Sequence, residues 1–420
     1  MNKLYVYCED HVVGSIQRNE NLEFSFQYDH LWIKNPNNFP ISLSIPVNTN
    51  IYGHRLTLSY FENLLPEGFI RDLIEKDQNI KGEYDFLIRF GRDIAGALQI
   101  LPEDKIKLNL KKKSLKQIDL DRVYQAIEEK KSMAEFMNET QTGYLSLAGA
   151  QDKFPFILRN NRFYIPEDGS PTTHIAKVPI SRSGIKDSVY NEIFCMNLAK
   201  TIGLNVPECF VHQGKFPIYV IERYDRFEKK RLHQQDFCQA LGFTSEFKYE
   251  DHSGPNLKMI YDLIVNHTSA VKKNQALKNF LKWVAFNLII GNNDCHAKNI
   301  SFLMINNKLE LAPFYDLLST TVYPKLKKTF CYKIGDTHDF SRMGRKQFLQ
   351  FENQLGLKQN SFLDVLQETY ELTNKNQSMV ASAIHEKYGP ITITKKINDL
   401  IKDRSKNLKR LYTKQRPHSQ

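Results

Sequence analysis

The sequence predicts an α+β protein of two lobes, with an extra, mainly β subdomain at its N-terminal end and a mainly helical lobe at its C-terminal end. Three features of the chain predict this. Near the start, short apolar runs alternate with polar residues, as in Lys3-Leu4-Tyr5-Val6-Tyr7 and Leu22-Glu23-Phe24-Ser25-Phe26, the two-residue period of half-buried strands. Much later, Phe280, Leu281, Val284, Ala285, Leu288 and Ile289 repeat with the period of a helix that buries one face, and Gly291-Asn292-Asn293 closes it. After that helix a loop, a hairpin and a second loop deliver two aspartates in order, Asp294 and Asp316.

Composition sets the outer bounds. A chain of 420 residues and 49.1 kDa suits two to three domains. Apolar residues make up 41% and charged residues 25%, which excludes disordered, collagen-like and disulfide-scaffold classes. The formal charge of +11 points to anionic company: a nucleotide, a nucleic acid or an acidic partner. Cys8, Cys195, Cys209, Cys238, Cys295 and Cys331 lie far apart with no C-x-x-C pair, the pattern of reduced thiols in a cytosol. Glu9 and Asp10 fall where a signal peptide would be apolar, and no window nears the roughly 18 uninterrupted apolar residues of a membrane span. A cytoplasmic protein with no membrane partner is expected.

The elements follow in chain order. Residues 1 to about 104 form the mainly β subdomain; within it Phe61 to Gly68 precedes a helical stretch, Phe69 to Lys76, and Gly91 to Ala97 is a glycine-flanked loop. Lys105 to Lys116, with Lys111-Lys112-Lys113, reads as a solvated linker face. A helix is expected from Asp119 to Phe136, then a small-residue loop from Gly143 to Lys153. Strands at Phe154–Leu158 and Arg162–Ile165 flank the turn Arg159-Asn160-Asn161. A further strand, Thr173 to Val178, carries Lys177 on the face of Ile175, and a helix starting near Asp187-Ser188 carries Glu192. A phosphate-holding lysine fixed by a helix glutamate is a nucleotide-kinase arrangement, although an edge-strand lysine and a solvated glutamate fit the same letters. Phe216 to Ile221 reads as a buried strand leading to Glu222-Arg223-Tyr224-Asp225-Arg226, a hinge for adenine or an ordinary packed turn.

Asp294-Cys295-His296-Ala297-Lys298-Asn299 holds the strongest chemical signal. An amide five residues after an acid is the spacing of the kinase catalytic loop, in which the Asp accepts the hydroxyl proton and the Asn oxygen holds magnesium. Strands at Ile300–Ile305 and Leu309–Ala312, around Asn306-Asn307-Lys308, lead to Pro313-Phe314-Tyr315-Asp316. Asp316 thus stands where a kinase keeps its metal-binding acid. Taken singly, Asp294 also reads as a turn or capping residue, and Asp316 as a helix N-cap before Leu317-Leu318.

These segments together resemble the HipA-type serine/threonine kinases, the toxin halves of bacterial toxin–antitoxin pairs. The similarity spans almost the whole chain. It includes Asn63 to Glu67, Gly91 to Ala97, Ser146 to Lys153, Asn191-Glu192, Glu222 to Arg226, Leu232 to Gln239, Lys248 to Glu250, Asp294 to Asn299 and Pro313 to Asp316. The resemblance implies a protein-kinase-like pair of lobes, using ATP and Mg²⁺, divided as residues 1–137, 138–224 and 225–420. It implies Asp294 as catalytic base, Asn299 and Asp316 as Mg²⁺ ligands and Lys177 as the phosphate-binding lysine. Glu222, Tyr224 and Gln234 would line the nucleotide pocket, with His296 near the phosphates. Ala148, Gly149, Ala150, Gln151, Asp152 and Lys153 would form the phosphate loop, and Ser146 the autophosphorylated serine that switches the enzyme off.

The same resemblance implies an aminoacyl-tRNA synthetase as substrate, the glutamyl enzyme foremost. It also implies a small helix-turn-helix antitoxin of HipB type, and operator DNA reached through that antitoxin. Two other classes share parts of the pattern. A small-molecule or lipid kinase has a similar Asp-x-His-x-x-Asn loop, and a non-catalytic DNA- or antitoxin-binding co-repressor would keep the fold without the chemistry.

Overall fold

The computed structural model describes residues 3–102, 114–133, 136, 151–166 and 170–413. It divides into two compact units, one of Met1–Val178, Gly214–Lys248 and Ser301–Ala312, the other of Pro179–Gln213, Tyr249–Ile300 and Pro313–Gln420. The hairpin between Asn299 and Asp316 therefore groups with the first unit, and the chain returns to the second at Pro313.

Alternation does build the start of the first unit. Its first sheet runs in the order Ile51–Tyr52, Phe24–Tyr28, His11–Arg18, Lys3–Cys8 and Leu98–Pro102, antiparallel throughout. The register pairs Leu4 with Ile16 and Val6 with Gly14, so the apolar letters of each strand fall on one face. Leu4, Val6, Ile16 and Phe26 are buried there beneath the helices His54–Phe61, Gly68–Gln78 and Gly82–Phe90.

In the second sheet the strands of this unit run Ile218–Glu222, His174–Lys177, Lys153–Arg159, Arg162–Pro166 and Leu115–Gln117. Asn160 and Asn161 both take left-handed backbone, φ 51° and 58°, as a tight hairpin between twisted strands requires. Asn306 and Asn307, φ 50° and 57°, do the same between Ser301–Ile305 and Lys308–Leu311, which extend from Gln234–Asp236 as a third sheet. One expected element is shorter than its letters suggest. The helix after Asp119 starts where expected, with the Asp119 carboxylate accepting from the Asp121 N–H at 3.0 Å, but it ends at Glu128 rather than at Phe136. Val123, Tyr124 and Ala126 face inward, whereas Glu128-Glu129-Lys130-Lys131 offers no apolar side chain to continue that face, and Lys130 turns left-handed at φ 56°.

The second unit is mainly helical. Ala270–Ile290 is its central helix; every residue from Phe280 to Ile290 is buried, as in a helix enclosed on all sides. Leu257–His267, Ser361–Tyr388 and Thr392–Thr413 pack against it. Trp283, fully enclosed, stacks on Phe314 with centroids 5.9 Å apart and planes at 15°. Among the described residues no helix is long and apolar enough to cross a membrane.

Candidate active site

In the second unit the site grows from the end of the central helix. Gly291 closes that helix at φ 71°, where its N–H returns to the Asn287 carbonyl. A Cβ at Gly291 would lie 2.7 Å from Thr321 Oγ1, so both the left-handed turn and the close approach call for glycine. The Gly291 carbonyl accepts from the Thr320 and Thr321 N–H groups, each at 3.0 Å.

Two buried amides then fix the loop. Asn292, with no exposed surface, donates from Nδ2 to Asn287 Oδ1 at 2.8 Å and to the Asp316 carbonyl at 3.2 Å. Its Oδ1 accepts from the Asp294 N–H at 3.1 Å. One side chain thereby ties the backbones of both aspartates together. Asn293 Nδ2 donates to Thr321 Oγ1 and to the Lys327 carbonyl, each at 3.0 Å, which holds the following segment to the same loop.

The Asp294 carboxylate is exposed, and its Oδ1 accepts from the Tyr249 hydroxyl at 2.5 Å. The Tyr249 ring also stands edge-on to His296, centroids 5.0 Å apart and planes at 87°, and His296 itself is buried. Asn299 Nδ2 donates to the Asp294 carbonyl at 2.8 Å, and that bond directs the amide oxygen, the end able to ligate a cation, away from the loop backbone. Tyr315 donates to the Lys298 carbonyl at 2.7 Å, joining the two aspartate-bearing segments a second time. Asp316 takes φ 53° and starts no helix, so it is not an N-cap before Leu317-Leu318. One carboxylate and one amide oxygen are a donor set suited to Mg²⁺, which is commonly held by one or two side-chain oxygens with phosphates and water completing the shell.

The first unit carries the other sequence-predicted residues. Lys177, 4% exposed, lies directly across from Lys153 in the strand register, and its Nζ lies 5.5 Å from the Tyr219 ring centroid. The register thus brings the predicted phosphate lysine and the last residue of the predicted phosphate loop to one place in the sheet. Asp152 is turned elsewhere: both carboxylate oxygens accept from the Met133 N–H at 2.9 Å, and burial pushes its pKa up to about 6. Tyr224 donates its hydroxyl to Gln234 Oε1, which brings two of the expected pocket residues together, while Glu222 is exposed at the end of its strand. Gln151 is half-buried beside Asp152. Ser146, Ala148, Gly149 and Ala150 lie outside the described residues.

Around Tyr224 lies a buried cluster of charges. Asp225 accepts from Arg223 Nε at 3.0 Å, Arg223 Nη2 at 2.9 Å, Arg226 Nη1 at 2.8 Å and the Gly96 N–H at 2.7 Å. Asp93 accepts from Thr172 at 2.6 Å, Arg231 at 2.9 Å, Arg226 at 3.0 Å and Arg223 at 3.4 Å. Burial alone would raise both carboxyl pKa values, but the guanidinium groups override it and hold both below the ordinary 3.8. For Arg226 burial and the neighbouring Arg223 prevail, and its pKa falls to about 10. Tyr249, Asn292 and Asn293 contact the candidate site, and spacing alone does not single them out. The only sequence signals are the Asn-Asn before Asp294 and the matching Lys248 to Glu250 segment.

Two aspartates and an amide, on segments tied together by Asn292 and Tyr315, have the residue types a kinase-type catalytic centre uses, and the chain carries them on an α+β fold. Comparison with known proteins gives the particular family. The HipA-like C-terminal domain family matches residues 145–376 and the HipA N-terminal domain family matches residues 4–101. The chain belongs to the HipA-type serine/threonine kinase toxin family, as its motif segments suggested. It is 34% identical to the protein Y4mE of Sinorhizobium fredii, over 84% of this chain and 86% of that one. It is 30% identical to the serine/threonine-protein kinase toxin HipA of Shewanella oneidensis, over 86% of both. The fold matches a solved chain from the Shewanella oneidensis MR-1 toxin–antitoxin complex of HipA, HipB and operator DNA. The TM-score is 0.82 over 98% of this chain and 97% of that chain, at 24% identity.

Proposed function

We propose that this chain is the toxin of a bacterial toxin–antitoxin pair, an ATP- and Mg²⁺-dependent kinase. In this role it phosphorylates a serine or threonine of a translation-linked protein, most of all an aminoacyl-tRNA synthetase of glutamyl type, and so inhibits growth. When bound, ATP supplies the phosphoryl group and Mg²⁺ draws off its charge. Asp294 takes the proton of the attacking hydroxyl on Oδ2, since Oδ1 is occupied by the Tyr249 hydroxyl. Asn299 and Asp316 would hold the metal, Lys177 and the Ala148 to Lys153 loop would hold phosphates, and His296 would stand near them. Glu222, Tyr224 and Gln234 line the nucleotide pocket. Phosphate added to Ser146 brings nearly two negative charges beside the small-residue loop and switches the enzyme off.

The observation that carries this is the braced loop, in which Asn292 bonds both the Asp294 N–H and the Asp316 carbonyl. The opposed Lys153 and Lys177 support the nucleotide. The division at residues 1–137, 138–224 and 225–420 is supported at its first boundary by the family matches, which end at 101 and resume at 145. A HipB-type helix-turn-helix antitoxin is the proposed partner, with operator DNA contacted through it. The solved structure whose fold this chain shares contains HipA with HipB and operator DNA, which supports that assembly. The cytoplasm is the place of action.

Purified protein with radiolabelled ATP tests the proposal. Asp294→Asn should lose phosphotransfer by at least about a hundredfold, and lose growth inhibition, with an unchanged circular dichroism spectrum. Ser146→Ala should lose self-labelling. Undiminished transfer in Asp294→Asn refutes the assignment of the base, and labelling confined to a small molecule or lipid refutes the protein-kinase role.

A further inference from the structure

One motif segment, and all of another but Tyr224, take no direct part in this scheme. Gly91 to Ala97 and Arg223 to Arg226 lie far apart in the chain, yet their buried charges meet through Asp93 and Asp225. We propose that the Gly91 to Ala97 loop is a positioning element for the nucleotide pocket. In it Gly96 sets the place of Gln234 and, through Gln234, that of Tyr224, a role that rests on the assignment of those two side chains to the pocket.

The geometry runs from backbone to pocket in three contacts. Gly96 is pinned at both of its polar groups: its N–H donates to Asp225 Oδ2 at 2.7 Å, and its carbonyl accepts from Arg226 Nη1 at 3.1 Å. A Cβ built on it would lie 3.2 Å from the Gln234 nitrogen and 3.3 Å from the Gln234 carbonyl oxygen. The loop backbone thus rests on the Gln234 backbone so closely that a Cβ at position 96, on left-handed backbone, would push it back by a few tenths of an ångström. Gln234 Oε1 in turn accepts the Tyr224 hydroxyl. Tyr224 is also fixed from its chain neighbours, because the Arg223 N–H donates to the Thr173 carbonyl at 2.9 Å and the Leu232 N–H to the Asp225 carbonyl at 2.9 Å.

A buried cluster of three arginines and two aspartates is a costly way to hold a loop when apolar packing would serve. Its gain is geometry. Each guanidinium fork fixes direction as well as distance, so the loop, Asp225 and Arg226 move as one body.

Gly96→Ala in the full-length chain tests the role, with Gly82→Ala as its control. Gly96 sits at φ 86° and Gly82 at φ 75°, but a Cβ at Gly82 meets nothing within 4 Å, so the control imposes the backbone strain without the contact. In Gly96→Ala the Kd of a fluorescent ATP analogue and the KM for ATP should both rise, on the order of tenfold, with kcat changed by less than about twofold. That is a fraction of the hundredfold that a full 1 Å misplacement can cost. Gly82→Ala should lower the thermal midpoint comparably and leave both constants unchanged. Gln234→Ala should raise the Kd by itself. If Gln234→Ala weakens the analogue and Gly96→Ala does not, or if the two glycine variants give the same constants, the positioning role is overturned. Unchanged Kd in both Gln234→Ala and Gly96→Ala overturns the pocket assignment beneath it.

Discussion

Replacing Asp93 by alanine should cost the first unit about 3–5 kcal/mol, the range for removing one partner from a buried ion pair. Asp93 is 4% exposed, and its carboxylate accepts four bonds, two on each oxygen. Without it, Arg223, Arg226 and Arg231 are left with the single carboxylate of Asp225. The charge left uncompensated outweighs the few methylenes of lost contact, so Asp93→Asn, which keeps the shape, should recover only a minor part. Urea unfolding followed by circular dichroism at pH 7 measures this as a lowered midpoint. A loss below about 1 kcal/mol, the value of an exposed pair, would refute the claim that the cluster is dry and interdependent. Acid adds a second arm. Asp93 and Asp225 have folded pKa values below the ordinary 3.8, so their contribution is fully present above that value and is lost as pH falls through the lower folded values. Burial depresses His174 and His233 from 6.5 to about 4, and their contribution declines earlier, between those two values. Wild-type stability should therefore fall in two stages on acidification, and Asp93→Ala should flatten the second only.

Three further outcomes follow from the second unit. Tyr249→Phe, which removes the 2.5 Å hydrogen bond to Asp294, should slow single-turnover phosphotransfer on the order of tenfold without changing the melting midpoint; an unchanged rate would show that the phenol does not orient the base. Glu352→Ala should destabilise by about 2–3 kcal/mol, because this buried carboxylate accepts the Asn360, Phe362 and Leu363 N–H groups at 2.8, 2.8 and 3.0 Å where Ser361–Tyr388 begins; Glu352→Gln, which keeps an accepting oxygen, should recover part of it in a thermal melt. Trp283→Ala should cost about 3–5 kcal/mol by chemical denaturation, as a cavity opens between Phe280, Phe314 and Tyr332.

What could be read from the letters was local. Asn160-Asn161 and Asn306-Asn307 declare their hairpins because few other side chains accept left-handed backbone twice in succession, and Gly291 declares its helix end for the same reason. The spacing of Asp294, Asn299 and Asp316 stands out in the letters because kinase chemistry asks for those residue types in that order, and Asn292 ties the two aspartate-bearing segments together. Periodicity failed where burial stopped abruptly, as at Glu128, since the pattern does not say when a neighbour ceases to cover the face. Tyr249 was hidden for a different reason. It meets Asp294 across 45 residues of chain, and although the Lys248 to Glu250 segment resembles the family, the letters do not say which partner its tyrosine meets.

Of the segments that resemble the family, Leu232 to Gln239 is mostly scaffold. In Leu232 to Gln239, Gln234 is the one side chain assigned to the nucleotide. Gln235 Oε1 accepts from the Leu43 N–H at 2.9 Å, Gln239 Nε2 donates to the Tyr60 carbonyl at 2.9 Å, and His233 Nε2 lies 3.0 Å from the Ile41 carbonyl. Asp236 caps the Phe237–Leu241 helix through Gln239, each side chain bonding the other's backbone N–H. These amides reach into the Ile41 to Ile45 segment and the helix His54–Phe61, so the strand bearing Gln234 is held from both ends by residues nearly two hundred positions away. Such contacts replace backbone partners that the irregular Ile41 to Ile45 segment cannot find within a sheet. An N-terminal domain joined in this way is part of the framework of the proposed nucleotide pocket, and its removal should abolish ATP-analogue binding rather than merely weaken an accessory contact.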